Sequence, residues 1–162
     1  MLNPHYIVGF VDGEGCFSVS LNKNDNRLPE VRLIFEIELR EDDEPILREI
    51  QEVLGCGNIY RLEYERYAQW RPHVKLKVSN FTDISTKIIP FFQRYPLRAK
   101  KRLQFEQFCQ VAELIRTKQH LTPEGIEQIR ALKRRDSLDA LDAHVQWGAP
   151  EITRAQSPPV KS

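Results

Sequence analysis

The architecture turns on one stretch, Ile7-Val8-Gly9-Phe10-Val11-Asp12-Gly13-Glu14-Gly15, and on the Cys16-Phe17-Ser18-Val19-Ser20-Leu21-Asn22 that follows it without a break. Asn3-Pro4, just ahead of it, supplies a helix cap and a proline at the first helical position. The apolar run then reads as a short helix ended by glycines. Gly9 and Gly13 lie four apart on one helical face, where missing side chains let a second backbone approach closely. Glu14 stands at the C-terminal end, where the helix dipole disfavours a carboxylate. A charge placed against that gradient calls for a compensating cation, and a hard, oxygen-ligated metal is one candidate. A tight turn is the alternative for Asp12-Gly13-Glu14-Gly15 taken alone. Residues 16–22 alternate apolar and polar, the period of a strand.

Working outward, Asn24, Asp25 and Asn26 favour a loop between two strands. The second strand carries Val31, Leu33, Phe35, Ile37 and Leu39 on one face, so the pair forms a hairpin with one apolar and one polar side. Residues 44–54 have helical spacing and Gly55 closes that helix. Strand-like runs follow at 58–64 and 73–79, the latter with Val74, Leu76 and Val78 opposite His73, Lys75 and Lys77. Beyond Asn80 the pattern is helical, with a kink or split expected at Pro90. An amphipathic stretch covers 99–117 and another 123–134. Leu138, Leu141 and Val145 suggest a last short helix, and a flexible tail is expected over 150–162.

The order helix, two strands, helix, two strands, helices predicts an α+β domain over residues 1–149. It has a four-stranded antiparallel sheet with its helices on one face. The other face stays polar, with Ser18, Ser20, Asn22, Arg32, Glu36, Glu38, Arg40, His73, Lys75 and Lys77. A mixed hydrogen-bonding surface of that kind suits base edges in a DNA groove, although ordinary solvated sheet faces look similar.

The chain has 162 residues, enough for one domain, and its net charge is only +1. The distribution says more: net −7 over 1–70, +10 over 71–135 and −2 beyond. A polyanion therefore finds a basic surface on a near-neutral protein. No apolar run is long enough to span a membrane. Three scattered cysteines (Cys16, Cys56, Cys109) argue for reduced thiols, and no secretory leader is legible, so an intracellular protein is expected. None of these thiols has an evident histidine partner, and Cys16 reads as strand packing.

The string from Ile7 to Gly15 resembles the signature of the LAGLIDADG homing endonucleases. Leu39-Arg40-Glu41-Asp42-Asp43, the pair Gly55 and Gly57, and Pro96-Leu97-Arg98-Ala99-Lys100-Lys101 resemble that family's later landmarks, in order and spacing. The resemblance covers roughly residues 4–118. It departs at Val8, where the motif has a smaller alanine, and at Leu39, where some members carry a polar residue that orders water. It implies an αββαββα core whose sheet saddles duplex DNA. Paired motif helices would meet through Gly9, Phe10, Asp12 and Gly13. Glu14 and the Gly13 carbonyl would bind Mg²⁺, or another divalent cation such as Mn²⁺ or Ca²⁺, and Asp12 would be chiefly structural. The basic residue near the scissile phosphates falls on Lys101, or on Lys100 if the register slips.

The motif occurs once, so the resemblance implies a homodimer pairing Glu14 with its twin. Such a dimer cuts a near-palindromic site of roughly 20 base pairs. A bacterial cytoplasm, chloroplast or mitochondrion would suit such an intron-encoded protein. Two alternatives stay open: an RNA-binding cofactor of intron splicing on the same fold, and a non-catalytic DNA-binding regulator.

Overall fold

A computed structural model describes residues 1–63 and 71–146, with side chains through Asp136. Helix α1 (Pro4–Glu14) starts at Asn3, whose Oδ1 accepts from the His5 amide at 2.9 Å. It runs through Gly13 and Glu14, one turn further than glycines that end a helix would allow, and stops at Gly15. Gly15 is required by space. A Cβ there would meet Val11 Cγ1 at 2.5 Å and the Val11 carbonyl oxygen at 2.9 Å. The chain thus turns directly from helix into strand β1 (Gly15–Asn24).

A two-residue turn, with Asn26 in the left-handed region at φ 61°, joins β1 to β2 (Arg27–Arg40). A 3₁₀ turn (Glu41–Asp43) leads to α2 (Glu44–Leu54), closed by Gly55 at φ 67° with its amide bonded to the Gln51 carbonyl. Strands β3 (Asn58–Leu62) and β4 (His73–Val78) complete a four-stranded antiparallel sheet in the order β1-β2-β4-β3. The far end of the expected third strand, Tyr64, lies outside the described residues.

After β4, α3 (Phe81–Asp83), capped by Asn80, runs into a π-helical stretch (Ile84–Ile88) and then α4 (Ile89–Arg94). The expected break at Pro90 becomes a widened turn. The Ile89 amide reaches back five residues to the Ile84 carbonyl, and this wider register absorbs a proline that has no amide to donate. Helix α5 (Lys101–Arg116), a 3₁₀ turn (Gln119–Leu121) and α6 (Pro123–Gln146) follow. The separate final helix expected around Leu138 is instead a continuation of α6. Nothing between 134 and 138 breaks the helix, so the two apolar segments join. The expected tail lies outside the described residues.

The core forms where the sheet's apolar face meets the helices. Phe17, Leu33, Phe35, Ile37, Val74 and Leu76 pack against Ile7 and Val11 of α1, Leu47 and Ile50 of α2, Phe92 of α4 and Phe105 and Phe108 of α5. Phe17 lies within 5.1–5.4 Å, ring to ring, of Phe35, Phe92, Phe105 and Phe108. Each such buried side chain contributes about 1.5–3 kcal/mol, so this cluster fixes α1, α4 and α5 against the strands.

Candidate DNA-cleaving site

Buried Ile7, Val8 and Val11 take one side of α1. Tyr6, Gly9, Phe10 and Gly13 share the other side within about a quarter turn. Tyr6 is 50% exposed and stacks on Phe10, with centroids 6.1 Å apart. A Cβ at Gly9 or Gly13 would meet nothing within 4 Å. The two glycines therefore leave open space on this side of the protomer, while Phe10 also packs partly against the core. Tyr6 was not among the residues the sequence pointed to, although its i, i+4 relation to Phe10 marks it.

Asp12 lies off this stripe. Its carboxylate accepts from the backbone amides of Arg98, at 3.0 Å, and Ala99, at 3.2 Å, holding the entry to α5 against α1. These two hydrogen bonds lie within its own chain. That anchoring places Lys101, the first residue of α5, beside the end of α1, where its Nζ donates to the Gly15 carbonyl. An ammonium thus stands at the negative end of the helix dipole, next to exposed Glu14. Lys100 is exposed and lines, with Asp12, Lys101, Gln104 and Asp136, a cavity of about 250 Å³. On α1's flank a groove of about 640 Å³ runs between His5, Gly9 and Asp12 on one wall and Arg98 and Arg102 on the other.

The polar sheet face carries every residue expected there. The rows set by strand register are Ser20 with Arg32, Glu36 with Lys77, Glu38 with Lys75, and Arg40 with His73. Ser18 and Asn22 occupy the same face of β1. Cys16, read from the sequence as strand packing, is exposed on this face opposite Glu36, because Phe17 takes the inward position. Partial desolvation of the sulfur and the neighbouring Glu36 push its thiol pKa up, against the opposing charges of Lys101 and Lys75. Register also brings Asn58, Tyr60 and Ile34 to this surface. Alternation alone left them out because β3 is short and Ile34 is apolar.

Charge on the face is organised. Lys75 Nζ lies 3.1 Å from Glu38 and 3.4 Å from Glu36, and Glu38 also meets His73 Nδ1 at 3.1 Å. Burial lowers the Lys75 pKa, but hydrogen bonding to Glu38 and the charges of Glu36 and Glu38 outweigh it, leaving the ammonium above its ordinary value. Arg32 pairs with Glu30, and Arg40 with Asp42. The acid-rich 41–43 turn is neutralised locally, with Glu41 on Arg61 and Asp42 on Arg71.

A polar sheet face, with an acid and a lysine at the end of a glycine-striped helix, defines an α+β scaffold with one candidate site. Residues 7–112 match the LAGLIDADG endonuclease family, and the chain belongs to that family. It is 33% identical over 132 residues to probable intron-encoded endonuclease 3 of Neurospora crassa, covering 81% of this chain and 24% of that protein. The meganuclease I-SmaMI bound to uncleavable DNA superposes with a TM-score of 0.74 at 34% identity, over 81% of this chain and 43% of that one. I-SmaMI bound to an uncleaved DNA target in the presence of calcium ions gives 0.72. The homing endonuclease I-TnaI superposes with 0.72 at 28% identity, over 81% of this chain and 85% of that one. The chain thus spans about a quarter of the Neurospora protein's length and under half of I-SmaMI's. Among the described residues no helix is long and apolar enough to cross a membrane.

Proposed function

We propose that this chain is a homodimeric endonuclease that hydrolyses both strands of a near-palindromic duplex DNA site with a divalent cation. The observation that carries the reading is the open stripe of Gly9 and Gly13 ending in exposed Glu14, with Lys101 anchored beside it. A second motif helix packed on that stripe brings a second Glu14 to the same place. The two-fold axis then matches a two-fold DNA site.

The Glu14 carboxylate and the Gly13 carbonyl are hard oxygen donors, suited to Mg²⁺, Mn²⁺ or Ca²⁺. One protomer supplies too few. No group of three or more His, Cys, Asp or Glu side chains gathers to hold a metal among the described residues. The partner's carboxylate completes the set. When bound, such a cation supplies Lewis acidity toward water and toward the leaving 3′ oxygen. Lys101, held by the Gly15 carbonyl, sets positive charge where negative charge grows on the attacked phosphate. Asp12 keeps that lysine in position by fixing the start of α5. The sheet face meets base edges in the major groove. The intron-encoded fungal relatives favour a place inside an organelle.

The test uses a library of randomised duplexes incubated with protein and Mg²⁺, followed by sequencing of the broken ends. Wild type yields a defined, near-palindromic site. Glu14→Gln abolishes cutting while retaining dimerisation and binding, and full cutting by that variant overturns the assignment. The 43% share of I-SmaMI favours one further reading, in which the second helix belongs to the same, longer polypeptide. Sedimentation decides: a monomer that cuts only when a second motif domain is fused to it replaces the homodimer.

A further inference from the structure

We infer that Glu36 and Glu38 are specificity-determining residues that accept hydrogen bonds from the exocyclic amino groups of cytosine. Lys75 then acts as a positioning residue that holds both carboxylates and reads no base. The inference rests on the DNA-binding reading of the sheet face and goes beyond it to the chemistry of individual positions. The charge pattern presents the puzzle. A surface facing a polyanion carries two glutamates at its centre, on adjacent outward positions of β2, with side chains 27% and 30% exposed. Facing phosphates, they cost binding energy; facing base edges, they are acceptors for an amino donor, and cytosine N4 is the donor a carboxylate matches in the major groove.

Lys75 sits between the two at 3.4 and 3.1 Å and is the least exposed of the three, at 21%. An ammonium with two carboxylate partners has two of its three donors engaged within the protein, which leaves too few for a two-point contact with guanine. What it does is hold both glutamates in one rotamer and offset their mutual repulsion. His73 holds the second oxygen side of Glu38, at 3.1 Å to Oε1, while Lys75 takes Oε2. Glu36 is flanked by Cys16 and by Lys77, which makes no ion pair among the described residues. Lys77 is the cation on this row that remains available to DNA.

Selection of bound sequences from a randomised duplex pool, without metal so that no cutting occurs, tests this on the intact protein. Wild type should enrich cytosine at two positions in each half-site. Glu36→Gln should lose that preference at one position and Glu38→Gln at the other, each by roughly 5- to 150-fold in discrimination, with the remaining positions unchanged. A gain of adenine in either glutamine variant supports the assignment further, since an amide matches adenine's edge. Lys75→Met should relax both of these C·G pairs together and no other pair. Thermal melts of all three variants establish that they fold. Unchanged profiles in the glutamine variants, A·T rather than C·G pairs at the wild-type positions, or relaxation in Lys75→Met of a pair that neither glutamine variant relaxes overturns the inference while leaving DNA binding standing. Failure of wild type to select any duplex overturns the functional reading itself.

Discussion

Gly15 and Asp12 show how single residues place the candidate site. Gly15 admits no side chain because Val11 occupies the space a Cβ would need. Gly15→Ala is therefore expected to cost about 1–3 kcal/mol, read as a lower urea midpoint with an unchanged slope. Asp12 satisfies the amides of Arg98 and Ala99 in the turn that leads into α5. Asp12→Ala is expected to cost about 1.5–3 kcal/mol, as for hydrogen bonds to a charged group, and to slow cleavage as well, because Lys101 loses its fixed origin. A variant as stable as wild type in urea would show that those amides find other partners. At this scale the positions of the two motif acids were legible in the sequence. What Asp12 holds, residues 86 and 87 positions away, was not.

At the scale of elements, α1 has two faces with opposite demands. Its inner face is filled by Ile7, Val8 and Val11, while Gly9 and Gly13 face open space. Bulk added on the open side should leave the protomer intact, since glycine is a poor helix former and nothing stands in the way. Gly9→Leu and Gly13→Val are thus expected to melt at or above the wild-type temperature yet sediment as monomers and fail to cut. Dimers of wild-type affinity in both variants would move the association surface elsewhere. The π-helical stretch before Pro90 carries a related lesson. A proline inside an apolar helical pattern signals a break, but the core contacts of Ile84, Ile88 and Phe92 on either side favour one widened helix over two separate ones.

For the whole molecule, burial of thiols predicts a response to alkali. Burial pushes the Cys56 and Cys109 pKa values up to about 11, from an unfolded value of 9.0. The folded protein therefore keeps protons that the unfolded chain releases. This contribution is fully present below pH 9 and is lost as pH rises from 9 toward 11. Melting temperatures measured from pH 8 to 11 should fall, and the fall should be shallower in Cys109→Ala. Equal slopes would show that the thiol ionises as readily in the fold as outside it.

Local pattern was sufficient for the elements and their order, because period-two alternation and helical spacing follow from which side of each segment must be dry. It was sufficient too for the motif acids and for most of the polar face. Contacts between distant segments were decided only in three dimensions. Asp12 on the Arg98 amide, Lys101 on the Gly15 carbonyl and Lys75 between two glutamates all depend on packing and register that no local spacing encodes. Cys16 turned outward, Tyr60 and Ile34 joined the face, and α6 ran on without a break for the same reason. A side chain's partners are chosen by the surfaces that folding brings to it, and those surfaces come from parts of the chain remote in sequence.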